Sequence, residues 1–260
     1  MSSLYVVAPV YDEAANVPRL LDGFRALAAE HGGEHAVTFL LVDDGSADGT
    51  AETARSLGGD LPLTVLSHER NLGPGAAFAT AFEHLAGSLA ADDFVLTLEG
   101  DNTSRHELVS RMLLRSREGD DVVLASPYMY GGGILHTTPF RVFVSHVANL
   151  LVKELLGVHG ILTVISFFRL YRGSVLLRLQ ERHGPQILER RGFECMVEMV
   201  LKLVYADASI SEVPMVLDTS RRAGKSKLKF FRTARGYLAL AGARRRWRTA
   251  SAESGDGRSA

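Results

Sequence analysis

The chain has one cysteine, Cys195, so no intrachain disulfide is possible, which suits a reducing compartment. Long apolar runs are also missing. The most apolar region, Val142 to Phe168, is broken by His146, Lys153, Glu154 and His159. Its longest charge-free stretch, Leu155 to Phe168, falls short of the roughly 20 residues a membrane-spanning helix needs. The opening Met1-Ser-Ser-Leu-Tyr-Val-Val-Ala-Pro9 lacks a basic region and reads as a strand, not a signal peptide. The turn after that strand is not Gly-x-Gly-x-x-Gly, which disfavours a dinucleotide cofactor. A Gly-x-x-x-x-Gly-Lys-[Ser/Thr] phosphate loop is missing as well.

What is present is enough for one large α/β domain. The 260 residues are 46% hydrophobic and 23% charged, ordinary values for a globular protein. Net charge is −1, but it is unevenly placed. Arg221 to Arg248 holds eleven Lys/Arg and no Asp/Glu, which leaves 18 basic and 30 acidic residues, a net of −12, elsewhere. A basic end on an acidic body implies an anionic partner for that end: phosphate groups, a membrane surface or nucleic acid.

Short apolar runs predict strands at 3–8, 37–42, 63–67, 94–98 and 121–125. Helical spacing between them predicts helices at 17–27, after Thr50, after Gly75 and near 107–117. The alternation implies a mostly parallel sheet with helices on both faces. In such sheets ligands bind at the C-terminal strand ends. The polar residues collect there: Tyr11 and Glu13, Asp43 and Asp44, Asn71, then Glu99 and Asp101. Glu99-Gly-Asp101 ends the fourth strand, and i and i+2 carboxylates on an extended backbone point the same way. Such a pair suits Mg²⁺ or Mn²⁺ and, with it, a phosphate ligand.

The second half is less regular. Gly131 to Gly133 reads as a flexible joint, 141–156 as a helix, 166–171 as a strand, 193–204 as a helix and 210–217 as a last strand. Glu194, Glu198 and Lys202 form an i, i+4 stripe that suits either a solvated face or a functional one. Residues 228–247 read as a basic helix, with Tyr237 and Trp247 available for an anionic membrane interface, or equally as a helix that binds a membrane partner subunit. The whole is expected to be a single domain over 1–250. It comprises a nucleotide-sugar half at 1–125, an acceptor half at 126–227 and the basic helix at 228–250, with a disordered tail at 251–260.

Pro9-Val-Tyr-Asp-Glu13, Leu41-Val-Asp-Asp-Gly-Ser-Ala-Asp-Gly-Thr50, Asn71-Leu-Gly-Pro-Gly-Ala-Ala77 and the later acidic pair resemble the family 2 glycosyltransferases of GT-A (Rossmann-like) fold. The second half resembles their polyprenyl-phosphate sugar synthase branch through Arg141-x-x-x-Ser145-x-x-x-Asn149, Phe168-Arg-Leu-Tyr171, Phe193-Glu-Cys-Met-Val-Glu198, Glu212-Val-Pro214 and Arg221-Arg-Ala-Gly-Lys-Ser-Lys227. The resemblance implies a nucleotide-sugar site at Pro9, Tyr11, Glu13, Asp43, Asp44, Asn71 and Gly73. It implies metal ligands at Glu99 and Asp101. Arg141, Ser145, Arg169 and Ser226 would hold an acceptor phosphate, and Asp101, Arg221 and Lys227 would carry the catalysis. The expected place of action is the cytoplasmic side, peripheral to the membrane. Departures from the family pattern lie at Asp12, at Glu99 in place of the usual Asp, at Pro127 in place of an Arg, and at Thr163 and Phe167.

The expected reaction is inverting transfer of a mannose- or glucose-type sugar from a nucleotide diphosphate to a polyprenyl phosphate. A phosphate monoester is largely dianionic at pH 7 and needs no general base, whereas a hydroxyl acceptor does. No acidic residue follows Asp101 until Glu107, which favours phosphate. A soluble enzyme acting on a saccharide or small-molecule hydroxyl, with Glu194 or Glu198 as base, stays open. A sugar-phosphate nucleotidyltransferase lacks its basic Gly-rich turn here, and a nucleic-acid binder using residues 221–248 leaves the acidic sheet edge unexplained.

Overall fold

A computed structural model describes residues 1–221 together with 236, 237, 239, 240, 242–244, 246 and 247. Nine strands form: β1 (Ser2–Val10), β2 (His35–Asp43), β3 (Leu63–Ser67), β4 (Phe94–Thr97), β5 (Val122–Ser126), β6 (Gly133–Leu135), β7 (Arg169–Arg172), β8 (Ile210–Pro214) and β9 (Val216–Asp218). The α-helices are α1 (Val17–His31), α2 (Thr50–Leu57), α3 (Pro74–Ala86), α4 (Val109–Arg117), α5 (Pro139–Leu156), α6 (Gly173–His183) and α7 (Cys195–Tyr205). The described residues between 236 and 247 are helical.

Seven strands make one sheet in the order β3-β2-β1-β4-β7-β5-β8, and β6 pairs with β9 in a second. β1, β2, β4 and β5 are largely apolar because both faces of the sheet are covered. One face packs on α1, α2 and α4 through Leu20, Leu21, Phe24, Leu27, Val109 and Met112. The other packs on α3, α6, α7 and the C-terminal helical residues through Phe78, Phe82, Leu179, Val200, Leu240 and Trp247. No described helix is long and apolar enough to cross a membrane.

Four features go beyond the sequence pattern. First, β7 enters antiparallel to both β4 and β5, within a sheet that is mostly parallel as expected. Second, α6 has no counterpart among the expected elements; Val175, Leu176 and Leu179 are its buried face. Third, the glycine run is no loose joint. Gly133 opens β6, and a Cβ on Gly132 would stand 2.7 Å from the Ser126 carbonyl oxygen. The last strand also divides at Met215 into β8, which pairs with β5, and β9, which pairs with β6.

Parallel register sets the site. Val10 lies beside Asp43 and Val7 beside Thr97, so the loops after β1, β2 and β4 emerge together.

Candidate active site

The loops after β1 and β2 are knitted by short polar links. Asp12 takes a left-handed φ of 47°. Its N–H donates to Ser46 Oγ at 2.8 Å, and its Oδ1 accepts from the Ala47 N–H at 3.0 Å. The Glu13 N–H donates to Thr50 Oγ1 at 2.8 Å, and the Ala14 N–H to Asp48 Oδ2 at 3.0 Å. Asp43 is buried and accepts from the Ser46 N–H and hydroxyl. Pro9, Tyr11 and Glu13 are partly buried along this edge. The charge of Asp12 pushes the Tyr11 phenol upward, so it stays protonated.

The acidic pair sits beside this edge. The Leu98 N–H donates to the Val7 carbonyl at 3.0 Å, continuing the ladder past β4. Gly100 lies so close to β1 that a Cβ would stand 2.7 Å from the Pro9 carbonyl oxygen. Ser104 closes the turn: its hydroxyl accepts from the Glu99 N–H at 3.0 Å and donates to Glu99 Oε2. The Phe167 N–H donates to Glu99 Oε1 at 3.2 Å. Asp101 Oδ1 accepts from the Thr103 N–H at 3.1 Å. Burial first, and the Asp101 charge second, push the Glu99 carboxyl upward despite these donors. That excess negative charge fits a divalent cation. Among the described residues no three His, Cys, Asp or Glu converge, so a cation here would draw the two carboxylates Glu99 and Asp101 from them and the rest of its ligands from elsewhere. Ser104 was absent from the expected set; its only sequence signal is a hydroxyl shortly after the pair.

A cavity of about 220 Å³ opens next to Glu99, floored by Leu20, Phe24 and Leu98 and rimmed by Arg19, His106 and Arg221. Arg221 ends the 3₁₀ turn Thr219–Arg221, and its charge helps hold Glu107 low. Ser226 and Lys227 lie outside the described residues.

On the other side, Arg141 and Ser145 stand one turn apart on α5. Ser145 Oγ meets the Tyr128 hydroxyl at 2.7 Å, and the Tyr128 ring packs on His146. Arg141 is exposed.

Several expected ligands turn out to be framework. Arg169 is fully buried, and its guanidinium donates to the carbonyls of Ser166, Val164 and Met196 at 2.7, 2.9 and 2.9 Å. It fixes the segment that reaches Glu99 and has no face for an acceptor phosphate. Asp44 accepts from His68 Nδ1 at 2.8 Å, the Leu72 N–H at 2.9 Å and the Gly73 N–H at 2.7 Å. It therefore clamps the loop containing Asn71. At Gly73 (φ 101°) a Cβ would strike the Arg191 carbonyl, so a close protein contact by itself requires glycine here. Glu198 and Lys202 are both fully buried and paired at 2.7 Å, not a solvated stripe and not a base facing the acidic pair. Trp247 is 1% exposed and donates to Glu189 Oε1 at 2.8 Å, so it belongs to the core and not to a membrane interface.

The Glycosyl transferase family 2 model matches residues 5–179. The chain is a family 2 glycosyltransferase. The glycosyltransferase is 28% identical to the polyprenol monophosphomannose synthase of Mycolicibacterium smegmatis over 86% of this chain and 80% of that protein. It is 29% identical to the undecaprenyl-phosphate 4-deoxy-4-formamido-L-arabinose transferase of Klebsiella pneumoniae over 87% of this chain, spanning 63% of that protein. Its fold is shared with glucosyl-3-phosphoglycerate synthase of Mycobacterium tuberculosis, solved with Mn²⁺, UDP and glucosyl-3-phosphoglycerate. That match has a TM-score of 0.58 and 19% identity, and it covers 97% of this chain and 79% of that one. A mannosyltransferase of Pyrobaculum calidifontis, solved with GDP-Man and Mn²⁺, gives a TM-score of 0.54 and 17% identity, covering 96% and 73%.

Proposed function

We propose that the enzyme transfers a mannose- or glucose-type sugar, with inversion, from a nucleotide diphosphate sugar to a polyprenyl phosphate. The observation that carries the acceptor assignment is α5. The helix that presents Arg141 and Ser145 also exposes Phe140, Phe143, Leu150, Leu151 and Leu155. A surface helix in water does not ordinarily keep so much apolar area uncovered. A lipid acceptor, or the membrane that holds it, supplies the cover. The two relatives named for polyprenol and undecaprenyl phosphate support the same reading.

Pro9, Tyr11 and Glu13 with Asp43 line the nucleotide, and Asn71 sits on the loop beside them. Glu99 and Asp101 hold Mg²⁺ or Mn²⁺, which supplies Lewis-acid neutralisation of the leaving diphosphate. Arg221, at the rim of the cavity beside Glu99, brings positive charge toward the phosphates. Arg141 and Ser145 orient the acceptor phosphate, whose second pKa of about 6 makes it a ready nucleophile without a base. The burial of Glu198 against Lys202 weakens the hydroxyl-acceptor alternative, which needed it or Glu194 as base.

The test is a transfer assay with Mn²⁺ or Mg²⁺, a short polyprenyl phosphate and labelled GDP-mannose or UDP-glucose in turn. Label entering the organic phase, and lost with Asp101→Ala, establishes the reading. Donor binding with no label in that phase, across both donors, overturns the lipid acceptor.

A further inference from the structure

The segment 187–192, between α6 and α7, runs as a strap from α7 to the N-terminus of α3. At one end it is gripped by a buried ion pair. Glu198 Oε1 accepts from the Glu189 N–H at 2.9 Å, and Glu198 Oε2 accepts from the Arg190 N–H at 2.8 Å. Lys202 Nζ donates to the Ile187 carbonyl at 2.9 Å and pairs with Glu198 Oε1 at 2.7 Å. At the other end the Arg191 carbonyl accepts the Gly75 N–H at 2.8 Å. That N–H is one of the orphan donors of a helix start, satisfied here by the strap. The strap lies so close that Cβ atoms on Gly73 or Gly75 would collide with the Arg191 and Arg190 carbonyls. From below, Asp44 holds the Leu72 and Gly73 N–H groups of the same loop. Loop 71–75 is thus fixed between two buried carboxylates, Asp44 directly and Glu198 through the strap.

A fully buried ion pair is a poor investment in stability alone, since desolvation offsets most of its attraction. Its use here is geometric: two adjacent amides are held by one carboxylate whose own position is set by Lys202. Lys202 in turn is 4.9 Å from the Trp247 ring centroid, and Glu189 bonds Trp247 Nε1, so the C-terminal helical residues lock the same joint.

We propose that Glu198 and Lys202 are positioning residues for the donor nucleotide: they set the strap that sets loop 71–75. The nucleotide part rests on the donor site proposed above; the coupling of strap to loop does not. α5, which carries the acceptor side, shares this core and its Leu155 carbonyl accepts from Arg244 at 3.3 Å, but the hydrogen bonds of Glu198 and Lys202 run to the strap and not to α5.

The experiment uses the full chain with Glu198→Gln and Lys202→Met combined, which removes both charges at nearly constant volume and avoids a lone buried charge. Arg178→Met, which breaks the 3.0 Å pair between α6 and Asp121 just before β5, is the control for general loosening. Hydrogen exchange of segment 70–78 is expected to rise about tenfold in the double variant and to stay at the wild-type rate in the control. Titration with UDP and GDP in Mn²⁺, and donor KM, are expected to weaken about tenfold while acceptor KM and kcat at saturating donor change less than about twofold. Unchanged exchange at 70–78 overturns the coupling whether or not any nucleotide binds. Faster exchange with unchanged donor KM overturns the positioning role. A wild-type chain that binds neither nucleotide sinks the donor reading and leaves the coupling to be decided by exchange alone.

Discussion

The backbone N–H of Phe167 donates to Glu99 Oε1 at 3.2 Å, which ties the acidic pair after β4 to the segment that leads into β7. Glu99 is therefore held by the protein on one oxygen and by Ser104 on the other, while Asp101 is anchored through Thr103. Asp101→Ala is expected to lower turnover by about 10² or more and to abolish the rise in Tm that Mn²⁺ with nucleotide produces. Initial rates and thermal melts across a Mn²⁺ series check this. A variant with an unaltered metal midpoint removes Asp101 from the metal site.

Arg169→Met is expected to destabilise the fold by about 2–4 kcal/mol, because two buried carbonyls and one half-buried carbonyl lose their donor together. Urea unfolding measures it. A variant that is as stable as wild type but raises acceptor KM alone would restore Arg169 to the acceptor site.

Asp44→Asn places an NH₂ group against at least one of the N–H groups that Asp44 now accepts. Expected are a loss of about 1–3 kcal/mol and a weaker affinity for UDP or GDP, with acceptor KM unchanged. Calorimetric titration beside a melt separates the two effects.

Phe140 and Phe143 are 73% and 64% exposed, so replacing both with Glu leaves Tm within about 2 °C of wild type. Co-sedimentation with anionic vesicles is expected to fall severalfold, and the KM for a long polyprenyl phosphate to rise. Binding of UDP or GDP stays the same. Full vesicle binding by the double variant would remove α5 from the lipid-facing surface.

His183 has its pKa depressed to about 4, first by burial and then by the Lys202 charge, with Glu189 opposing and Arg182 reinforcing. Its Nε2 is buried without a hydrogen-bond partner. The unfolded chain therefore takes up this proton before the folded one does. The contribution is fully present above about pH 6.5 and is lost progressively as pH falls toward 4. Allowing for solvent screening, the loss is on the order of 1 kcal/mol. His183→Gln is expected to flatten that part of the stability curve, measured by urea melts between pH 7 and 4. An unchanged slope counts against His183 as its source.

Most of the frame was legible because it is local. The apolar runs that became β1 to β5 are bounded by turn residues, and Val17, Leu20, Leu21, Phe24 and Leu27 kept their helical face. The acidic pair was legible for the same reason: an i, i+2 spacing at a strand end needs no distant partner to be meaningful. Ser104 was not, since a hydroxyl after such a pair is also ordinary in a solvated turn. Trp247 and Tyr237 read as membrane-interface residues, and packing into the core with α7 decided otherwise.

By itself, then, the amino-acid order determined which segments are strands and helices, and that their polar loops gather at one edge of a sheet. Only the tertiary structure decided what the charges do. Arg169 in a motif, Asp44 in an acidic loop and Glu198 and Lys202 on a helix all read as candidates for ligand or solvent. Each proved to be a buried group holding backbone from another part of the chain. The physical reason is that burial and hydrogen-bond partners depend on which segments pack together. A spacing of four residues is the same on a wet face and in a core, and the insertion of β7 between β4 and β5 is written in no local pattern.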